Sequence, residues 1–155
     1  IVAYTALNGN IDTDQFIQFV KIAQDIHIKQ YLGSKLFTKI QNDIVAGTLS
    51  GNYLTLVNTF VKPMVIHWSM VEILPFMAYS FNAKGIFKHT SENAQLPEKN
   101  EIDFLIEKQR SLAENYSQRF QDYMVYNQSL FPEYLTNTKD DIYPNKDNYS
   151  TDWFI

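Results

Sequence analysis

Three histidines, His27, His67 and His89, and one carboxylate inside an apolar run, Glu72, are the residue types here that could bind a metal or move a proton. His67 and Glu72 are five positions apart, about 500° of helical rotation, so they fall on different faces. A motif spaced by three or four would share one. No His-Glu-x-x-His pattern occurs. His67 therefore reads as a hydrogen-bonded core or groove histidine, and His27 and His89 as surface residues. Glu72 needs a partner such as a Lys, an Arg or a Tyr hydroxyl, because a carboxylate in apolar surroundings is costly unless paired. A structural ion pair or a subunit contact accounts for it better than a general acid does. A small helical enzyme or regulatory binding domain with a pocket around His67 and Glu72 is the alternative these residues leave open.

Other chemistry finds little footing. With no Cys, disulfides, thiol nucleophiles and thiolate metal sites are excluded together. There is no Gly-x-Ser-x-Gly and no Gly-rich phosphate loop; the five Gly, at 9, 33, 47, 51 and 85, read as turns and caps. The carboxylate pairs Asp103 with Glu107 and Asp140 with Asp141 read as solvated charge, and Lys35, Lys39, Lys84 and Lys88 are too dispersed for a basic stripe. The expectation is no catalytic residue, no metal and no cofactor.

The elements that must position these residues are helical. Asp12 or Thr13 can cap a first helix whose apolar positions are Phe16, Phe19, Val20, Ala23 and Ile26, ending near Tyr31-Leu32 with Gly33 as its left-handed stop. Ser34 can cap a second, with Leu36, Phe37, Ile40 and Ile44 on its apolar face and Gly47 at its end. Ser50-Gly51-Asn52 opens the longest element, Tyr53 to about Phe81, bent where Pro63 and Pro75 lack an amide and crowd the carbonyls of Thr59 and Val71. Residues 86–95 read as a loop with room for a short hairpin. Pro97 favours the start of a last long helix, with Ile102, Leu105, Leu112, Tyr116, Phe120 and Tyr123 as its stripe to about Asn127. Phe131-Pro132-Glu133-Tyr134 reads as a turn.

The expected fold is all-α: a small bundle of about four helices with a long Pro-bent central helix and an extended C-terminal arm. The divisions are an extended lead at 1–12, a helical domain at 13–135 and an aromatic arm at 136–155. Met64 to Phe81 is apolar enough to be mistaken for a membrane span, but a central Glu72 and the lack of a flanking Lys/Arg cluster favour a buried bundle helix. Residues 1–10 lack the charged and apolar regions of a secretory signal.

Thirteen Lys and Arg against seventeen Asp and Glu give a net charge of -4, without the basic bias that tight DNA binding needs. The 155 residues suit one domain with an appendage, and aromatics are the outlier at 15%. Phe, Tyr and Trp are enriched at interfaces. The helical stripes absorb many of these rings; Tyr143, Tyr149, Trp153 and Phe154 lie in a stretch with no period of its own.

The order of short segments resembles a known family. Ile22-Ala23-Gln24, Gln30-Tyr31-Leu32-Gly33 and Leu36 are followed by Tyr53-Leu54, Val61-Lys62-Pro63 and Leu74-Pro75. Lys84-Gly85-Ile86, Ala113-Glu114-Asn115-Tyr116, Asn127 and Phe131-Pro132-Glu133-Tyr134 complete the series. Over about residues 13–135 this resembles the head-to-tail connector (adaptor, or head completion) proteins of tailed bacteriophages, most of all the ring proteins of crAss-like phages. The resemblance implies a structural virion protein, not an enzyme, placed in the head-tail neck and in the host cytoplasm during assembly. About a dozen copies would form a ring under the portal protein, extend the DNA channel and dock further neck or tail proteins. Genomic DNA would pass without sequence-specific binding, and no membrane would be involved. An acidic wall suits a conduit, since one that bound phosphates strongly would retard DNA.

Two contact regions are expected on this basis. The arm would lie on an adjacent subunit or another neck protein through Tyr143, Tyr149, Trp153 and Phe154. The loop containing Lys84, Gly85 and Phe87 would face the portal.

Overall fold

The computed structural model describes residues 13–77, 79–82, 85–88, 99–137 and 142–146. Helix α1 (Thr13–Ala23) passes through a π turn, Gln24–Ile28, into α2 (Lys29–Ala46). The π turn carries one extra residue. The core position after Ala23 therefore falls at Ile28, and Ile26, expected on the apolar face, is half exposed. Gly33 breaks α2 where the sequence places a stop, with φ 73° and ψ 159°. Gly47 ends it in the left-handed region at φ 67°, its N–H on the Ile44 carbonyl at 3.2 Å and the Thr48 N–H on Asp43 at 2.9 Å.

The third rod runs as α3 (Gly51–Leu56), a second π turn (Val57–Val61), α4 (Lys62–Ile73) and a 3-10 turn (Leu74–Phe76). Pro63 has no amide for the Thr59 carbonyl, and the π turn immediately before it is how the helix absorbs that loss. Pro75 terminates rather than bends. The last turn tightens, and the chain leaves the helix after Phe76 rather than at Phe81. An antiparallel hairpin follows, β1 (Tyr79–Asn82) on β2 (Gly85–Lys88), with Asn82 opposite Gly85.

Helix α4 is the centre of the bundle, packed between α1 and α5 (Lys99–Asn127). It buries Met64, Ile66, Trp68, Met70, Val71 and Ile73, which is why its sequence is apolar almost all round. The buried face of α5 is rotated from the expected stripe. Ala113, Ser117, Phe120, Gln121 and Met124 are buried, while Leu105 and Leu112 are about half exposed. Small residues face α4 because the Trp68 indole occupies the space, donating its Nε1–H to Ser117 Oγ at 3.0 Å. Beyond α5, a 3-10 turn (Gln128–Leu130) leads into α6 (Pro132–Leu135). This segment belongs to the core, unlike the turn the sequence suggests: Phe131 and Tyr134 are buried edge-on against Tyr53 and Phe120, at ring distances of 5.3 and 6.3 Å.

Among the described residues the fold is the expected small all-α bundle, with a single two-stranded hairpin after its central helix, and that helix is interrupted by a π turn before Pro63 and ended at Pro75 rather than bent at both. Residues 142–146 then return as an extended strap across the break at Gly33.

Candidate functional site

His67 and Glu72 do not share a pocket. Glu72 Oε1 accepts a hydrogen bond from His27 Nε2 at 2.7 Å, and the His27 ring stacks on Trp68 at 3.9 Å with its plane within 9°. The partner is thus a histidine, where a Lys, Arg or Tyr was expected, and His27 is half-buried rather than a surface residue. His67 turns to α5, accepting from Gln109 Nε2 at its Nδ1 over 2.6 Å and stacking on Tyr116. Burial holds its pKa below the usual histidine value, and an acceptor role at Nδ1 suits a neutral ring. The shallow cavity beside Glu72, about 590 Å³, is shared with Pro75, Asp103 and Arg110 and not with His67. Each of these two histidines closes a helix contact: the first π turn to α4 in one case, α4 to α5 in the other.

The densest polar construction lies at the helix break. Restarting at Ser34, the helix presents orphan amides that need acceptors. Its own Ser34 was the expected cap; instead, residues a hundred positions away supply the oxygens. The Ser34 N–H donates to the Ile142 carbonyl at 3.0 Å and the Lys35 N–H to Asn137 Oδ1 at 2.9 Å. Lys35 Nζ donates to the Thr136 carbonyl at 2.5 Å, and Asn137 Nδ2 returns a bond to the Ile142 carbonyl. On the other side of the break the Asn145 N–H donates to the Gln30 carbonyl at 2.7 Å, while Gln121 Nε2 donates to the Asn145 carbonyl. Pro144 is fully buried against Gly33, where a Cβ would lie 2.6 Å from Pro144 Cδ. Residues 136, 137 and 142–146 of the expected arm therefore dock on their own chain.

At the end of this strap, Lys146 Nζ sits over the rings of Tyr134 and Tyr143, at 4.8 and 5.2 Å. Burial, with Tyr143 adding to it, pushes the Tyr134 hydroxyl up to about 12. Tyr53 is likewise pushed up to about 12, by burial first and then by its hydrogen bond to Glu133 at 2.6 Å.

A second surface has the opposite character. Between α2 and the α3–α4 rod runs an open groove of about 640 Å³, walled by Phe37, Ile44, Val45, Val57, Val61 and Val65. Lys62 is its one charged lining residue. Val45 is 88% exposed.

Of the expected contact residues, Tyr143 is on the strap and 54% exposed. Gly85 and Phe87 lie in β2, paired with Asn82 and Ser80. Lys84, Tyr149, Trp153, Phe154, His89, Asp140 and Asp141 lie outside the described residues. Lys39 is bound to Asp43 at 2.5 Å, and Glu107 is paired with Arg110 at 3.8 Å on a wet face. Among the described residues no group of His, Asp and Glu could hold a metal ion, and no helix is long and apolar enough to cross a membrane.

Fold and site together define an all-α bundle closed by a C-terminal strap. The chain belongs to the family of unknown function DUF6712, whose model matches residues 28–143. The match runs from the end of the first π turn into the strap. No match is found among curated proteins or among solved structures.

Proposed function

We propose that this protein is a structural subunit of the head-tail neck of a tailed bacteriophage, assembling as a ring between the portal and the tail. The observation that carries this reading is the distribution of uncovered apolar side chains. Ile44 and Val45 at the end of α2, Phe104 and Leu105 early in α5, and Val125 and Tyr126 late in α5 are each adjacent exposed pairs, on separate parts of the bundle. Scattered single residues of this kind need no explanation, but paired patches on several sides suit a subunit with neighbours on more than one side. The order of sequence segments supports the connector class, and the net charge of -4 suits a wall along which DNA slides. In this arrangement the hairpin region, with Lys84, Gly85 and Phe87, faces the portal.

The test is the particle. Purified protein, alone and mixed with the portal protein, is examined by native mass measurement and electron microscopy. Rings, free or seated on the portal, are expected. A compact monomer in both samples, with a melting temperature shifted by a small-molecule ligand, overturns the reading.

A further inference from the structure

An open cleft of about 560 Å³ lies between α5, the strap and the first turn of α2. Helix α5 supplies one wall with Ser111, Glu114, Asn115 and Gln118, spaced by three, four and seven so that all four share a face. Tyr31 of α2 and Asn145 of the strap supply the other. The most buried lining residue is Gln121, 5% exposed, whose Nε2 donates to the Asn145 carbonyl at 2.9 Å. The Asn145 N–H in turn donates to the Gln30 carbonyl at 2.7 Å, next to Tyr31. Hydrogen bonds within the chain thus tie the walls together, and the cleft is formed before any ligand arrives. Its second wall exists only while the strap is seated.

The lining chemistry selects a class of ligand. Every lining side chain carries a hydrogen-bonding group, and Glu114 is the one charged residue among them. A phosphate or carboxylate ligand would meet Glu114 with no lysine or arginine in the lining to offset it. A purely apolar ligand would strip water from the amides and return no bond to them. The remaining class is neutral and rich in hydroxyls, since a hydroxyl both donates and accepts, as the Asn and Gln amides do. Among the described residues Glu114 and Asn115 have no partner, so their polar atoms are open to such bonds. Gln118 donates from Nε2 to Asp122 at 3.0 Å and keeps its carbonyl as an acceptor. Tyr31 adds an aromatic ring, an apolar surface of the kind on which the C–H face of a sugar packs.

We propose that the cleft between α5 and the strap binds a neutral saccharide, with Asn115, Gln118 and Glu114 bonding its hydroxyls. An open site in competition with water gives weak binding, in the millimolar range. The proposal goes beyond the ring reading and does not depend on it.

The test titrates the nitrogen-15-labelled full chain with maltotriose, triacetylchitotriose and xylotriose, following the side-chain amide resonances of Asn115, Gln118 and Gln121. At least one sugar is expected to shift them saturably. Asn115→Ala, at an exposed position with no bond of its own to lose, is expected to weaken that binding about five- to tenfold, the worth of one hydrogen bond. Val45→Ser, far along α2 and outside the cleft, leaves it unchanged. Saturable shifts confined to another surface, an affinity indifferent to Asn115→Ala, or no saturable binding of any of the three sugars overturns the proposal. So does adenosine monophosphate shifting these amides at lower concentration than every sugar, which would make the cleft a nucleotide site.

Discussion

The two faces of the segment 34–46 are built on opposite terms. On the strap side, the first two amides of the restarted helix, the Lys35 ammonium and the space above Gly33 all meet partners from residues 136–144. On the groove side, Phe37, Ile44 and Val45 border open space. The cause is the difference between polar and apolar debts. A helix-start amide without its acceptor costs about 1 kcal/mol, and Pro144 is buried against Gly33, so closing that face adds directly to the stability of the domain. Apolar area left in water forfeits roughly 25 cal/mol per Å² and breaks no single bond, so that face can wait for a partner. The strap face serves folding; the groove face is left open to solvent.

The strongest way to break this contrast is at Gly33. Its φ of 73° and ψ of 159° lie in a region almost reserved for glycine, costing any other residue about 1–3 kcal/mol. A Cβ would also meet Pro144 Cδ at 2.6 Å and Cγ at 3.1 Å, and both ring atoms are buried with no room to retreat. Gly33→Ala is therefore expected to destabilise the monomer by about 3 kcal/mol or more, read from the midpoint of urea unfolding. Pro144→Ala should recover part of that loss in the double variant, because it removes the clash but not the backbone strain. A Gly33→Ala chain as stable as the parent would mean the strap is not seated there, and the two faces would no longer differ.

How much of this was written in the sequence follows the same division. Local signals were legible: the stop at Gly33, the cap at Gly47, the end of α5 at Asn127 and the all-round apolar α4 are consequences of neighbours in the chain. The strap was not. Its residues are polar and aperiodic because it is one extended segment whose bonds go to positions more than a hundred residues away. The same limit hid the pairing of His27 with Glu72, which a π turn and 45 positions of sequence separate from any local pattern. The face of α5 was misjudged through Ser117 and Gln121. Both look solvent-facing and both are buried because Trp68 and Asn145 bond to them. Of the groove's parts, Phe37 and Ile40 are buried in the core as their spacing suggests, and only Ile44, expected beside them, is half exposed.

A smaller effect is expected at Asn137, which sharpens the strap side by isolating its capping function from its packing. Its Oδ1 accepts from the Lys35 amide at 2.9 Å while its Nδ2 donates to the Ile142 carbonyl at 2.8 Å. It thus performs from a distance the service an N-cap side chain gives locally. Asn137→Ala is expected to cost about 1 kcal/mol, the usual loss for a cap, in the same urea measurement. Asn137→Asp should recover only part of that loss: its carboxylate can still accept from Lys35 near the positive end of the helix, but it has no donor for the Ile142 carbonyl. An Ala variant without loss would show that the Asn137 side chain contributes nothing to the strap, which would then be held by Pro144 and by its bonds to Ser34, Gln30 and Gln121.

The smallest effect belongs to the groove. Val45 is 88% exposed, so Val45→Ser removes two methyl groups from a side chain that water already surrounds. Its cost to the dilute monomer is expected within about 0.5 kcal/mol, the range of ordinary surface substitutions. The comparison depends on this near-silence as much as on the damage at Gly33. Should Val45→Ser cost as much as the Asn137 cap in a sample shown to be monomeric, the groove wall would be helping to hold the bundle together. It would then be a second face on which the fold relies and no longer a surface left for a partner.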